Sequence, residues 1–199
     1  MEKKRAVSRR PPQGLSDRCR QGYASGMKLS QLIGADVEAP AGLSDVEIGS
    51  ITPDSRAVQP GALFVALAGA KADGGRFVAD AVAKGAVAVL AAKDAVLPDV
   101  AAPVLRSVEP RRALALMAAR FYGAQPEIAV AVTGTSGKTS VAEFTRQIFA
   151  HLGRQAASVG TIGIVKPDGG VYGSLTTPDP VTLHRTLAEL AHDGVTHLA

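Results

Sequence analysis

The feature that most constrains the fold is a glycine-rich loop between an apolar run and a helical pattern, in residues 129–144, AVAVTGTSGKTSVAEF. The apolar run predicts a buried parallel strand, and the pattern after it predicts a helix from Lys138 to about Leu152, with Gly153 as its stop. The general phosphate-binding pattern G-x-x-x-x-G-K-[ST] needs a glycine six places before the lysine, where this chain has Val132. The loop is therefore a shortened form of that pattern.

A strand, a glycine-rich loop and a helix still supply the parts of a phosphate site. Backbone N–H groups from Gly134 to Gly137 can point inward because glycine tolerates positive φ, and a helix N-terminus favours negative charge. Lys138 is expected to reach the β- and γ-phosphates, and the Thr139 hydroxyl has the position that ligates Mg²⁺ in such loops. The alternative is an ordinary turn with a solvated lysine. The predicted phosphate-binding residues are Gly134, Thr135, Ser136, Gly137, Lys138, Thr139 and Ser140.

The amino-acid sequence around this loop predicts a mostly parallel sheet. IAVAVTG is expected to be a central strand that is apolar on both faces, and AASVGTIGIV and VTHLA are expected to be further strands. DPVTLHRTLAELAHDG predicts a helix capped by Asp179. The helix after the loop carries one apolar stripe, as is typical of a helix that packs on a sheet. That stripe consists of Val141, Phe144, Ile148 and Leu152.

The first half of the chain predicts a small, separate α/β domain. Short apolar runs such as ALFVALAG, AVAVLAA and PVLRSV alternate with turns, and RFVADAVAKG and PRRALALMAARFYG have helical patterns. The predicted fold class is thus α/β: a small N-terminal domain followed by the start of a mostly parallel, phosphate-loop domain that is truncated within a strand. The predicted segments are a basic extension at 1–26, a domain at 27–109, a helix and linker at 110–126, and a partial domain at 127–199.

The net charge of +4 does not indicate a nucleic-acid binder, because the positive charge lies in the tail. Residues 1–26 hold seven Lys or Arg and two Asp or Glu, whereas the rest holds 15 and 16. We interpret this tail as a disordered extension or a start codon assigned too early, with a functional basic arm as the alternative. Aromatic residues make up only 4% of the chain, the single cysteine excludes an internal disulfide, and no apolar run reaches membrane-spanning length. A cytoplasmic protein without nucleic-acid partners is expected.

The loop VTGTSGKTS resembles the ATP loop of the Mur ligases, T-G-T-[NS]-G-K-T, although folylpolyglutamate synthetases carry a related loop. DSRAVQPGALFVALAGAKADGGRF is similar to an N-terminal segment of the Mur ligases that add the third residue and the terminal dipeptide to the muramoyl peptide. SVGTIGI and LTTPDPVTLHRTLAELAHDGVTHLA resemble the third-residue ligases more closely. The resemblance covers residues 27–199.

This resemblance implies ATP-dependent addition of an amino acid, with diaminopimelate expected, to UDP-N-acetylmuramoyl-L-alanyl-D-glutamate in peptidoglycan synthesis. The carboxylate would be phosphorylated to an acyl phosphate, and the amine would then displace phosphate. ATP and Mg²⁺ are the implied cofactors. The resemblance implies that residues 134–140 bind ATP with Lys138 as the catalytic lysine, that the small N-terminal domain is the substrate domain, and that the phosphate-loop domain is the ATP-binding domain. The resemblance also implies substrate-binding residues in the N-terminal domain and before the last helix, namely Pro53, Ser55, Ala70, Lys71, Ala72, Thr176 and Thr177.

Two departures from the family pattern are Ser136, where many relatives have Asn, and Lys71, where some have Gln. A family Glu ligand for Mg²⁺, a Ser-Ser-His-Gly stretch, a modified lysine and a C-terminal domain lie beyond these 199 residues, so we expect the chain alone not to complete ligation. The alternatives are a dipeptide-adding Mur ligase and a non-catalytic nucleotide-binding module.

Overall fold

The computed structural model describes residues 26–41, 43, 46–68, 74–173 and 178–199. These residues fall into two compact units. The N-terminal unit contains the described residues up to Gly123 together with 180–185. The loop-bearing unit contains the described residues of 124–179 together with 186–199. The mixed α/β character predicted from the sequence is confirmed in both units.

The N-terminal unit is built on a four-stranded parallel sheet in the order β3-β4-β5-β6. A smaller antiparallel pair, β1 and β2, lies outside this sheet. The strands are β1 Met27–Lys28, β2 Glu47–Ile48, β3 Ser50–Thr52, β4 Ala62–Ala66, β5 Ala86–Ala92 and β6 Val104–Ser107. The helices are α1 Leu29–Leu32, α2 Val78–Ala83, which follows a 3-10 turn at Gly74–Phe77, and α3 Pro110–Tyr122.

The parallel sheet is covered on both faces, as its continuous apolar strands predict. Successive residues of β4 point to opposite faces. Leu63 and Val65 belong to a core cluster with α1 and α3, whereas Phe64 packs with Val78 and Ala81, which belong to α2. β4 therefore contributes buried apolar side chains to the core on each face of the sheet.

The predicted boundaries of α3 are confirmed. Pro110 occupies the first turn, where its missing N–H is not needed. Gly123 follows the helix with φ +68°, and its N–H donates to the Ala119 carbonyl at 2.9 Å. Glycine adopts such a positive φ without the steric strain that a Cβ atom would cause, and it often follows the last turn of a helix for this reason.

The loop-bearing unit contains a five-stranded mixed sheet in the order β10-β9-β8-β11-β7. β11 lies between β7 and β8 and is parallel to both, while β9 pairs antiparallel with β8 and β10. The strands are β7 Ile128–Ala129, β8 Ala156–Gly160, β9 Gly163–Val165, β10 Val171–Tyr172 and β11 His197–Leu198, and the helix is α4 Lys138–His151. The last helix, α5 Pro180–His192, has residues 180–185 in the N-terminal unit and 186–192 in this unit.

The expectation of a long central strand before the loop is wrong. β7 spans only Ile128–Ala129, both residues are exposed, and among the described strands it bonds only to β11. An apolar run predicts burial, but burial requires a neighbour on each edge and a covering layer on each face. Here β7 occupies the edge of its sheet.

The apolar stripe of α4 does not pack on the sheet. Val141, Phe144, Ile148 and Leu152 are 50%, 61%, 60% and 65% exposed, respectively. The face that meets the sheet lies beside this stripe: the Phe149 ring contacts the His197 ring of β11 edge-on, with centroids 4.7 Å apart. Within the described residues, no helix is long and apolar enough to cross a membrane.

Candidate phosphate-binding loop and the site around it

The loop between β7 and α4 has the backbone conformation that its glycines allow. Gly134 has φ +144°, and Gly137, the N-cap of α4, has φ +78° in the left-handed region. A Cβ atom built on Gly137 would meet no atom within 4 Å, so this side of the loop is open. Backbone conformation, and not lack of space, is therefore what requires glycine at position 137.

The N-terminus of α4 offers positive potential and N–H donors. The first N–H groups of any helix lack partners within the helix, and a glycine N-cap supplies no side-chain oxygen to them. The Val141 N–H is the first to bond back, to the Gly137 carbonyl at 3.0 Å. The N–H groups of Lys138, Thr139 and Ser140 thus face the loop end of a helix of 14 residues, where an anion is favoured.

The Lys138 side chain is exposed and folds over the loop. Its Nζ donates to the Gly134 carbonyl at 2.5 Å, four residues earlier. The ammonium group therefore lies on the same side as the helix N-terminus, where it adds a full positive charge. An exposed lysine held by one carbonyl can rotate to a phosphate oxygen at small cost, because its four-carbon stem is flexible.

The Thr139 hydroxyl contacts a residue that the sequence reasoning did not include. Thr139 Oγ1 lies 2.9 Å from Thr161 Oγ1, and Thr161 directly follows β8. The sequence did contain a signal for this contact. β7 and β8 run in the same direction, so the residues after both strands gather at one edge of the sheet, where ligands bind in open α/β sheets.

The arrangement fits Mg²⁺ with a nucleotide. Magnesium in nucleotide sites keeps several waters and uses substrate phosphates with one or two protein oxygens. The Thr139 hydroxyl supplies one such oxygen beside a helix end that favours phosphate. Among the described residues, no group of three or more His, Cys, Asp or Glu side chains is placed to hold a metal ion.

The Glu143 side chain of α4 is held by a network of hydrogen bonds and is mostly shielded from solvent. Its carboxylate accepts hydrogen bonds from the Arg146 guanidinium, from Gln147 Nε2 at 3.0 Å and from Ser158 Oγ at 3.0 Å. Only 22% of the Glu143 side chain and 14% of the Arg146 side chain are exposed. These bonds, led by those from Arg146, lower the pKa of Glu143 to about 2. Glu143 thus ties α4 to β8 as a carboxylate.

Pro53 and Ser55 lie in the turn after β3, and both are half-buried. Asp54 shapes this turn by accepting the Arg56 N–H and the Arg56 Nε, each at 2.9 Å, and the pairing lowers the pKa of Asp54 to about 2. The Ser55 carbonyl accepts from Lys84 Nζ at 3.0 Å.

The other predicted substrate residues fall on parts of the chain that are not described. Ala70, Lys71 and Ala72 lie outside the described residues, as do Thr176 and Thr177. The segment that contains the first three follows β4. Because β3 and β4 are adjacent and parallel, the described residues that directly follow β4, Leu67 and Ala68, lie at the same edge of the sheet as the turn with Pro53.

Comparison with known proteins assigns the class. The description "Mur ligase family, catalytic domain" matches residues 47–122, and "Mur ligase middle domain" matches residues 132–199. Together these matches cover most of the chain, including the phosphate loop and Thr161. The chain belongs to the Mur ligase family.

The curated relatives narrow the class. The UDP-N-acetylmuramoyl-L-alanyl-D-glutamate--2,6-diaminopimelate ligase of Brucella melitensis biotype 1 is 58% identical over 173 residues, which are 87% of this chain and 36% of that protein. The protein of the same name from Agrobacterium fabrum is 62% identical over 154 residues, 77% of this chain and 31% of that protein. The chain spans about a third of the length of these relatives.

A solved structure with the same description supports the fold. It aligns with a TM-score of 0.70 at 23% identity, and the alignment covers 87% of this chain and 35% of that one. At this identity the similarity concerns the fold alone, and it agrees with the α/β architecture described above.

Proposed function

We propose that these 199 residues belong to an ATP-dependent ligase that adds diaminopimelate to UDP-N-acetylmuramoyl-L-alanyl-D-glutamate. The observation that carries the proposal is the 58% identity, over 173 residues, to a ligase named for this reaction. The left-handed Gly137, with Lys138 and Thr139 directly after it, supports nucleotide binding at the loop. We further propose that the protein acts in the cytoplasm, where nucleotide-linked precursors and ATP are present.

The proposed reaction has two steps. A carboxylate oxygen of the D-glutamate residue attacks the γ-phosphorus of ATP, the bond to the β-phosphate oxygen breaks, and ADP leaves. The amine nitrogen of diaminopimelate then attacks the acyl carbon, loses a proton and expels inorganic phosphate, which leaves an amide. Phosphoryl transfer depends mainly on positioning and charge neutralisation, so the role of the protein is to hold the phosphates in line.

The loop residues have distinct roles in this proposal. The N–H groups from Gly134 to Ser140 hold the phosphates at the N-terminus of α4, while Thr135 and Ser136 close the cradle. Lys138 leaves the Gly134 carbonyl and neutralises the transferring phosphoryl group. Thr139 would hold Mg²⁺, which would supply neutralisation of phosphate charge.

The proposed substrate residues lie outside the loop. Pro53 and Ser55, with the segment Ala70 to Ala72, would hold the uridine nucleotide, and Thr176 and Thr177 would contact the muramoyl peptide. In the same proposal residues 27–109 form the nucleotide-sugar domain, 110–126 connect it, and 127–199 are part of the ATP-binding domain.

The test is Lys138→Ala in the intact protein. We expect the rate of ADP and phosphate release with the muramoyl dipeptide, ATP and diaminopimelate to fall by about 10²–10³-fold, as when one preorganised electrostatic group is removed. Lys93→Ala is the matched control, because Lys93 makes an exposed ion pair with Glu38 in the N-terminal unit. Lysine or a D-alanyl dipeptide in place of diaminopimelate tests the amino donor. The proposal fails if the unmodified protein forms no product with diaminopimelate, or if both variants retain the same rate.

A further inference from the structure

Thr161, the residue after β8, contacts the phosphate-binding loop from a different part of the sequence. Thr161 is exposed, and its hydroxyl oxygen lies 2.9 Å from that of Thr139. The two residues are 22 positions apart, so this contact is made by the fold and not by local chain geometry. It lies at the turn of α4 that carries Lys138.

A contrast within α4 makes the contact informative. A threonine inside a helix usually donates its hydroxyl hydrogen to the carbonyl four residues earlier. Thr145 does so, with its Oγ1 at 2.8 Å from the Val141 carbonyl. Thr139 lies in the first turn, where its hydroxyl is directed instead to Thr161.

The position of Thr161 relative to Thr139 is supported one helical turn further along. Glu143 follows Thr139 by four residues, about one turn of helix, and accepts a hydrogen bond from Ser158 Oγ of β8 at 3.0 Å. Arg146 and Gln147 hold the same carboxylate. Two contacts one helical turn apart, Thr139 with Thr161 and Glu143 with Ser158, therefore align α4 with β8.

The chemistry of a hydroxyl determines which threonine of this pair donates the hydrogen bond when a cation is bound. A threonine hydroxyl has one hydrogen to donate and two lone pairs to share. An oxygen that gives a lone pair to a cation must send its hydrogen away from that cation. At Thr139 the neighbour within hydrogen-bond distance is Thr161 Oγ1, which can accept that hydrogen.

We propose that Thr161 is a positioning residue that accepts the Thr139 hydroxyl hydrogen and so turns a Thr139 lone pair toward the Mg²⁺ of bound Mg·ATP. The proposal rests on the function proposed above. Groups that orient a metal ligand in this way contribute measurably to metal affinity and activity. Thr161 itself makes no bond to the reacting atoms.

The experiment measures ATP affinity of the intact protein by calorimetry, with Mg²⁺ and with EDTA. Thr161→Val keeps the shape but removes the acceptor, and we expect Mg·ATP affinity to fall at least about tenfold, the usual effect of losing such an outer group. ATP affinity in EDTA is expected to remain unchanged. Thr161→Ser keeps the hydroxyl and is expected to restore Mg·ATP affinity.

Thr145→Val is the matched control, since it removes a hydroxyl bond from the same helix away from the loop. Unchanged Mg·ATP affinity in Thr161→Val would overturn the proposal, as would an equal loss with and without Mg²⁺ or a loss in Thr161→Ser as large as in Thr161→Val. If the unmodified protein binds no ATP, both this proposal and the nucleotide role of the loop fail. If it binds ATP normally and only the Thr161 result is negative, the nucleotide role stands.

Discussion

The helices α3 and α4 have nearly the same length and meet their sheets in opposite ways. α3, with 13 residues, buries five of them, whereas α4, with 14 residues, buries none. Both have apolar residues at helical spacing. The difference teaches that such spacing predicts a helix and an apolar face, but not the layer that this face meets.

The two units consequently depend on different interactions. α3 adds Leu114 and Met117 to a cluster of buried side chains that also includes strand residues of the N-terminal unit. α4 is connected to β8 by the hydrogen bond from Ser158 Oγ to the Glu143 carboxylate, and Arg146 of α4 holds the same carboxylate in place. Hydrophobic burial stabilises the first helix, and a polar network near the phosphate loop orients the second.

The largest difference between the helices is expected from truncation of one apolar side chain in each. Leu114 is fully buried, so Leu114→Ala should lower the free energy of unfolding by about 2–5 kcal/mol. Ile148 is 60% exposed, so Ile148→Ala should change it by less than about 0.5 kcal/mol. Urea unfolding of the 199-residue chain, followed by circular dichroism, measures both. Equal losses would contradict the contrast and would mean that the α4 stripe is packed in solution.

A smaller effect is expected from alanine at the glycines that border the two helices. Gly123 after α3 and Gly137 before α4 have φ of +68° and +78°, and a Cβ at either position meets nothing closer than 3.9 Å. Backbone strain should therefore cost about 1–2 kcal/mol in each case.

The two glycine variants should differ in function. Gly137→Ala is expected to weaken ATP binding about tenfold, equivalent to about 1.4 kcal/mol, because the loop N–H groups are redirected. Gly123→Ala should leave ATP affinity unchanged. Thermal unfolding and calorimetry on the same samples separate the two effects. A similar loss of affinity in both variants would argue against a specific role for the left-handed N-cap.

The smallest change in stability is expected when one carboxylate in each unit is replaced by an amide. The pKa of Glu143 is lowered from 4.5 to about 2, and that of Asp54 from 3.8 to about 2. Because the folded-state values are lower, each carboxylate stabilises the fold above its unfolded pKa, and this contribution is lost as the pH falls toward 2. Glu143→Gln should therefore flatten the dependence of the melting temperature on pH between about 4.5 and 2.

Asp54→Asn should have a weaker influence, over about pH 3.8 to 2, because its Arg56 partner is exposed and salt screens such pairs. Melting curves at low and high salt distinguish the two carboxylates. If 1 M salt abolished the Glu143 effect as readily as the Asp54 effect, the α4 network would behave as a surface ion pair.

The sequence was sufficient to predict secondary structure where local sequence rules and burial agree. The strands Ala62–Ala66 and Ala86–Ala92 are apolar on both faces and are covered on both, and Pro110 and Gly123 mark the ends of α3 as expected. The loop between β7 and α4 was also identified from its glycines and from Lys138. In these segments the chain needs little information from distant residues.

Prediction was wrong where the outcome depends on distant parts of the fold. The strand before the loop was expected to be central, but only Ile128–Ala129 is a strand and it lies at an edge. Glu143 reads as an ordinary helix charge until Ser158, 15 residues away, is placed beside it. Thr161 was overlooked because the signal for its contact with Thr139 lies in the parallel arrangement of β7 and β8 and not in the residues next to Thr161.

The strand order of the loop-bearing unit has a consequence for the order of synthesis. β7 bonds to β11, which includes His197, so Ile128 has to wait for about 70 further residues before its strand partner exists, roughly 4–14 s at ordinary translation rates. β3 to β6 of the N-terminal unit, by contrast, pair in the order in which they are made. The ribosome therefore releases a unit that can close its sheet as it grows, followed by one whose first strand is held open until a much later strand inserts beside it.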